Sequence, residues 1–433
     1  MASEHQSLPL RATSSLFRGL SRSYIGNKKP VLIAVAGSVG KTSTKLALAR
    51  VLGTEKKVSC MDDSYNYGLG LYLSVFELKV PTSLKNPFAW FGVLARALAK
   101  FLQPGPEILI LEYGIDNPGD MDVLVEYARP DYAVLTAVTP EHMEFLKDMD
   151  TVGAEETKVL HAAKKSGFVN STDIDPKYLA GIQTELFRYG ARDADATYEV
   201  KKWTRKGAEV DFVIGGKTID GVKVQFISEP LIRQLCGTAL VAARLGLKPE
   251  SVRTALESVT PAASRMRVFD GLNESVIIDD TTNFSPVAGV EALKALKRLP
   301  ADRRVAILGN MHELGDFAEQ GFKDVSKEFG GLDMLILVGD LSKEYFAPLA
   351  KEKGFKPDET LFEFDDSPSA GIFMREKLQP GDTVLVKGPF GGFFLEEAVK
   401  KLLKDPADSK YVTRQSDFWQ RKKRAQFGDL LDK

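Results

Sequence analysis

Pro30-Val31-Leu32-Ile33-Ala34-Val35-Ala36 runs straight into Gly37-Ser38-Val39-Gly40-Lys41-Thr42-Ser43-Thr44, and this junction decides the fold class. The first seven residues are short, apolar and rich in β-branched side chains, the pattern of a strand buried on both faces of a parallel sheet. The glycines permit a tight turn whose N–H groups point at phosphate oxygens, and a helix opening near Lys41 adds its positive end. Lys41 is placed to neutralise terminal phosphates, and the Thr42 hydroxyl to coordinate Mg²⁺. Val35 occupies the place of the first glycine in the long phosphate-loop pattern, so only the shorter G-x-x-G-K-[ST]-[ST] form is met. Gly37, Ser38, Val39, Gly40, Lys41, Thr42 and Ser43 are the expected ATP-binding residues.

Outward from this loop, strands at 31–36, 57–60, 107–112, 131–137 and 167–170 alternate with helical periodicity, which predicts a mostly parallel, doubly wound sheet. Between Leu186 and Ile227 the pattern changes to polar–apolar alternation with turn signals, a small antiparallel meander. Helices follow at about 230–246 and 249–258, then a hinge at Thr260–Arg265. A second α/β run has strands at 275–279, 303–309, 333–338, 360–364 and 382–386. The predicted organisation is therefore a polar arm (1–29), loose or docked, a central ATP-binding domain (30–265), a Rossmann-like C-terminal domain (266–408) and a basic tail (409–433). The tail reads as a solvated helix end or a docked tail.

Composition bounds the function. The 433 residues are 44% apolar and 27% charged, with a net charge of −1 that offers no footprint for nucleic acid. Two cysteines, Cys60 and Cys236, cannot make a disulfide framework or a cysteine zinc cluster, and fit a reducing cytoplasm. No segment has the length and apolarity of a signal peptide or membrane span. Phe88–Leu102 (FAWFGVLARALAKFL) comes nearest, and reads as a partly buried helix or a partner surface in preference to a membrane-surface helix.

Two more motifs end strands of the first unit: Glu112-Tyr113-Gly114-Ile115-Asp116-Asn117-Pro118-Gly119-Asp120 and Thr139-Pro140-Glu141-His142-Met143-Glu144. A strand-end carboxylate beside a phosphate loop suits a Mg²⁺ ligand, because Mg²⁺ takes hard oxygen donors and keeps several waters. For Glu112 the bland alternative is a helix cap, and for His142 a surface-loop histidine.

In this order the motifs closely resemble the Mur ligase family. The loop, Ser64–Gly70, E-M-G-x-N-x-P-G-E (Glu112–Asp120), A-R-P-D (Ala128–Asp131) and G-x-A-H-L-E (Thr139–Glu144) all find counterparts. So do D-D-S-Y-N-A-N-P (Asp279–Pro286), L-G-D-M-x-E-L-G (Leu308–Gly315) and V-K-G (Val386–Gly388), so that the resemblance spans about 30 to 405. It is greatest to the branch that adds D-alanyl-D-alanine to a muramoyl peptide. The resemblance implies an ATP-dependent amide ligase of cell-wall synthesis using two Mg²⁺ ions, acting on a peptide-nucleotide substrate with no membrane insertion. It implies Thr42 and Glu112 on the first ion and His142 on the second. Arg265, Asp279 and Asn283 would meet the nucleotide when the domains close over the hinge, and Lys387 would face the amine or the phosphates. Domain closure of this kind predicts an open form without ligands.

Three departures qualify this. Only residues 1–29 precede the first strand, where full-length members carry a UDP-binding domain; either UDP is held otherwise, the substrate differs, or a partner supplies that surface. Glu156 aligns with the family's carbamylated, metal-bridging lysine, with Lys158 the alternative two residues on. Pro389-Phe390 replaces Ser-Arg, and Gln234 replaces an Asn near the adenine. The competing readings are a ligase with another substrate pair (pseudomurein-type, polyglutamate-type or a non-UDP precursor) and a non-enzymatic ATP-binding scaffold.

Overall fold

A computed structural model describes residues 8–432 apart from 82, 83 and 85. Two sheets organise these residues. The first has nine strands: β1 (Val31–Ala36), β2 (Val58–Cys60), β3 (Ile108–Glu112), β4 (Tyr132–Leu135), β5 (Ser166–Asn170), β6 (Glu185–Gly190), β7 (Ala196–Thr204), β8 (Gly207–Ile214) and β9 (Lys217–Val224). Their order is β2-β3-β1-β4-β5-β6-β7-β8-β9, with β2 to β6 parallel and β7 to β9 antiparallel. The expected meander from Leu186 to Ile227 is thus the far end of the same sheet, but only β7 to β9 are antiparallel; β6 pairs parallel with both neighbours.

The alternation along β1 shows why its sequence is apolar throughout. Leu32, Ala34 and Ala36 pack into one core layer, while Ile33 and Val35 pack into the layer on the opposite face. Helix Lys41–Leu52 covers the second face with Ala47, Leu48, Val51 and Leu52. The central strands are therefore buried on both sides, as a doubly wound sheet requires.

Residues before β1 are more ordered than an arm. Leu8–Lys28 is a helix docked on the first core layer through Phe17 and Tyr24, with Tyr127 Oη donating to Ser21 Oγ at 2.6 Å. The remaining residues of the expected arm, 1–7, lie outside the described residues. Helix Pro87–Leu102 is capped by Asn86, whose side chain accepts from Phe88 N and Ala89 N, and it packs Trp90, Val93, Leu94, Ala97 and Phe101 inward. Its other face leaves Phe88, Phe91, Leu98 and Leu102 exposed. It is partly buried, as expected, and no helix among the described residues is long and apolar enough to cross a membrane.

The second sheet comprises β10 (Arg267–Asp270), β11 (Val276–Asp280), β12 (Arg303–Leu308), β13 (Met334–Val338), β14 (Leu361–Phe364) and β15 (Asp382–Lys387), ordered β10-β11-β15-β12-β13-β14. All its pairings are parallel except β10 with β11. The edge strand β10 escaped the sequence reading because it is four residues long and half polar. Of the two readings of the tail, docking holds. Lys423 is fully buried between Glu396 and Glu397 at 2.7 Å from each, and Arg414 binds Glu396 at 2.6 Å.

Candidate active site

The phosphate-type loop leaves the carboxyl end of β1 and closes through two backbone positions that favour glycine, Gly37 at φ +123° and Gly40 at φ +87°. It is braced from the neighbouring strand end. Ser38 N donates to Ala137 O at 3.0 Å, Thr136 Oγ1 to Val39 O at 2.7 Å, and Thr139 N to Ser38 Oγ at 3.0 Å. Gln234 packs against the loop at Gly40, accepting from Thr44 Oγ1 at 3.1 Å.

Two of the expected groups meet at the helix start. Thr42 Oγ1 donates to Glu112 Oε1 at 3.0 Å, with Ser64 Oγ at 2.8 Å from the same hydroxyl. Glu112 ends β3, and the parallel register that pairs it with Val35 carries its carboxylate to the loop. Lys45, one helical turn beyond Lys41, sits 3.1 Å from Glu112 Oε2. Arg265 reaches across from the link between the units, its Nη2 at 3.4 Å from Thr42 Oγ1.

Lys41 is folded back on the loop, donating to Gly37 O at 2.6 Å and Ser38 O at 3.2 Å. Its ammonium lies 3.5 Å from Glu141. Burial alone would lower the Lys41 pKa, but Glu141, and after it Glu156 and Glu112, hold it above the ordinary lysine value.

His142 holds a left-handed conformation (φ 51°) at the start of helix Met143–Leu146. Its Nδ1 is 2.7 Å from Glu313 Oε2, while Nε2 faces Asp116 at 3.5 Å and Glu141 at 3.7 Å. Burial opposes protonation here, yet the Glu313 hydrogen bond and the surrounding carboxylates raise the imidazole pKa. Glu313 belongs to the second unit, and Glu144 N also donates to Glu313 O at 3.4 Å. The two units therefore touch at this loop.

Glu156 faces the loop and Lys158 does not. Glu156 is 1% exposed, interacts with Lys41, Glu141, His142 and the Gly37 backbone, and its burial pushes the carboxyl up to about 8. Its Oε2 atom is buried without a hydrogen-bond partner. Lys158 points elsewhere, pairing with Asp122 at 2.6 Å and Glu155 at 2.5 Å. A buried oxygen with no donor beside a phosphate loop fits a hard divalent cation, which supplies the missing positive charge. Among the described residues no three His, Cys, Asp or Glu side chains form a closed metal cluster. An ion here would keep phosphate oxygens and waters as its remaining ligands.

Two expected residues lie buried in the second unit. Asp279 is fully buried, accepting from Ser264 Oγ and Thr281 Oγ1 at 2.7 Å each, so its carboxylate ties the link between the units to the end of β11. Burial pushes it up to about 7. Lys387 is also buried, donating to Asp280 Oδ2 at 2.5 Å and Asn283 O at 2.8 Å. The one hydrogen bond the described residues give Asn283 is the one its carbonyl accepts from Lys387. The sequence reading missed Glu141, Lys45, Ser64 and Glu313. Three of them carried a signal that was not followed: Glu141 adjoins His142, Ser64 opens the Ser64–Gly70 segment, and Glu313 lies in Leu308–Gly315.

The family model described as "Mur ligase middle domain" matches residues 35–241, and "Mur ligase, glutamate ligase domain" matches 264–390. The UDP-N-acetylmuramoyl-tripeptide–D-alanyl-D-alanine ligase of Bacillus subtilis (strain 168) is 24% identical over 405 residues, covering 91% of this chain and 80% of the relative. The enzyme of the same name from Rickettsia prowazekii (strain Madrid E) is 26% identical over 378 residues, covering 84% and 76%. In three dimensions the chain is similar to the MurF ligase of Thermotoga maritima in complex with ADP. That match has TM-score 0.75 and 21% identity, over 90% of this chain and 83% of that one.

Proposed function

Because the chain belongs to the Mur ligase family, we propose that it joins the terminal carboxylate of UDP-N-acetylmuramoyl-tripeptide to the amine of D-alanyl-D-alanine. The γ-phosphoryl group of ATP passes to the carboxylate, giving an acyl phosphate and ADP. The amine then attacks the acyl carbon, phosphate leaves with the C–O bonding pair, and a proton is released as the amide forms. The observation that carries this reading is the Thr42 Oγ1–Glu112 Oε1 contact of 3.0 Å at the start of the loop helix. It puts a hydroxyl and a carboxylate together where a metal-bound phosphate would lie. The names of the similar enzymes supply the substrate pair.

In this proposal residues 30–265 form the nucleotide-binding unit and 266–408 the unit that closes over it. Loop N–H groups of Gly37–Thr42 cradle the β- and γ-phosphates, and Lys41 turns from the loop carbonyls to the terminal phosphates. Thr42 and Glu112 would hold one Mg²⁺, His142 and Glu156 a second. Bound Mg²⁺ would neutralise charge on the transferring phosphoryl and acyl-phosphate oxygens. Glu156 serves directly as a carboxylate, without modification. Arg265 brings a fixed cation to the same oxygens when the units close. Asn283 borders the nucleotide beside the Lys387–Asp280 pair, and Lys387 acts by fixing that loop.

The test is phosphate release with ATP, Mg²⁺, UDP-N-acetylmuramoyl-tripeptide and D-alanyl-D-alanine, each omitted in turn, with the product mass read. Release that needs both substrates, with the pentapeptide mass, is expected. Glu112→Gln should abolish it while the circular dichroism spectrum of the wild-type fold is kept, at some cost in melting temperature because Lys45 loses its buried partner. Release without the dipeptide, or none with any combination, overturns the assignment.

A further inference from the structure

Glu141 lies between the two halves of the site. One carboxylate oxygen is 3.5 Å from Lys41 Nζ and the other 3.7 Å from His142 Nε2, in a largely buried position. Its negative charge bears on Lys41, His142 and Glu156 alike.

Lys41 cannot serve a phosphate from where it stands. Its ammonium is spent on Gly37 O at 2.6 Å, Ser38 O at 3.2 Å and the Glu141 charge. A nucleotide phosphate must draw it away from all three. Once Lys41 leaves, Glu141 has lost its cation and remains a half-desolvated anion beside His142 and Glu156. Leaving it unpaired there is costly, and a divalent cation is the partner that restores balance.

Resting on the ligase reading, we infer that Glu141 is a positioning residue that couples nucleotide binding to cation binding. It holds Lys41 before the nucleotide arrives, and after Lys41 has moved it strengthens the cation site of His142 and Glu156. Glu141 therefore opposes nucleotide binding when no metal is present and favours metal binding when nucleotide is present. A residue that only maintained the fold would shift both affinities in the same direction.

The experiment compares the full-length wild type with Glu141→Gln, and with Glu144→Gln as a control that removes one exposed charge from the same loop. ADP affinity is measured by calorimetry in EDTA, and Mn²⁺ affinity by electron paramagnetic resonance with a non-hydrolysable ATP analogue at saturation. Glu141→Gln should bind ADP about threefold to fivefold tighter, the scale of one partly exposed ion pair. Its weaker class of Mn²⁺ sites should lose about tenfold, the lower end for groups supporting metal ligands. Glu144→Gln should match the wild type in both. Unchanged titrations for Glu141→Gln, or two shifts of the same sign, overturn this inference alone. Failure of the wild type to bind ADP under any condition overturns the ligase reading and this inference with it.

Discussion

Replacing Gly37 by alanine tests whether loop geometry governs nucleotide binding. Gly37 has φ +123°, and a Cβ there would lie 2.8 Å from Ala137 N, 2.9 Å from Thr136 N and 2.3 Å from Thr136 Oγ1. The hydroxyl can rotate, but the backbone nitrogens belong to the strand end that braces the loop. Restoring an ordinary contact of about 3.4 Å needs a shift of about 0.6 Å (3.4 − 2.8). A shift of that size carries a 2.9 Å hydrogen bond to a phosphate out to about 3.5 Å, where little of it remains. Losing one or two hydrogen bonds to a charged acceptor costs about 2–4 kcal/mol, or roughly thirtyfold to a thousandfold in ADP affinity. Gly246→Ala is the matched control, since its φ is +84° but a Cβ there would meet nothing within 4 Å. It should lose about 1 kcal/mol of stability and no ADP affinity. Fluorescent-ADP titration and thermal melting of both variants decide the matter. Gly37→Ala binding ADP as tightly as the wild type would refute the reasoning.

Other consequences follow from individual contacts. A Cβ at Gly40 would lie 1.8 Å from Gln234 Nε2, the mobile end of a side chain. Gly40→Ala should therefore lose ADP affinity, and Gly40→Ala/Gln234→Ala should recover part of it in the same titration. Asp279 takes up its proton near pH 7 when folded and at the ordinary carboxylate value when unfolded. The folded state thus binds the extra proton between about pH 4 and 7, and stability falls as pH rises through that window, by up to about 4 kcal/mol for a shift of about three pH units. Asp279→Asn should remove that part of the slope in urea unfolding measured from pH 5 to 8; parallel wild-type and mutant curves would contradict it. Lys423→Ala leaves Glu396 and Glu397 buried with one cation fewer. It should cost about 3–5 kcal/mol and expose the tail after Val412 to trypsin, read by melting and by mass spectrometry of the digest.

The sequence was most readable where one local pattern had one physical cause. Buried parallel strands such as β1 and β3 are short apolar runs, and a phosphate-type loop needs glycine at fixed places, so both could be located to within a residue or two. The helix Leu8–Lys28 was read as an arm because its buried face rests on few large residues, Phe17 and Tyr24 above all. Contacts across sequence distance were the main omission. Lys41 meets Glu141 a hundred positions away, and His142 meets Glu313 from the other sheet; neither pairing has a local signature. Asp279 shows another such omission: its motif aligned with a nucleotide-contacting segment, and nothing local announced its hydrogen bonds from Ser264 and Thr281. The choice between Glu156 and Lys158 turned on helix phase, and only the fold shows which side of that helix faces the loop.

The central claim is that ATP activates a carboxylate by phosphorylation, and oxygen isotope transfer tests it most directly. UDP-N-acetylmuramoyl-tripeptide labelled with ¹⁸O in its terminal carboxylate is incubated with the protein, ATP, Mg²⁺ and D-alanyl-D-alanine, and the released phosphate is examined by mass spectrometry. The account predicts one ¹⁸O atom in each phosphate formed from fully labelled substrate, because the carboxylate oxygen leaves with the phosphoryl group. Amide product accompanied by unlabelled phosphate would contradict it.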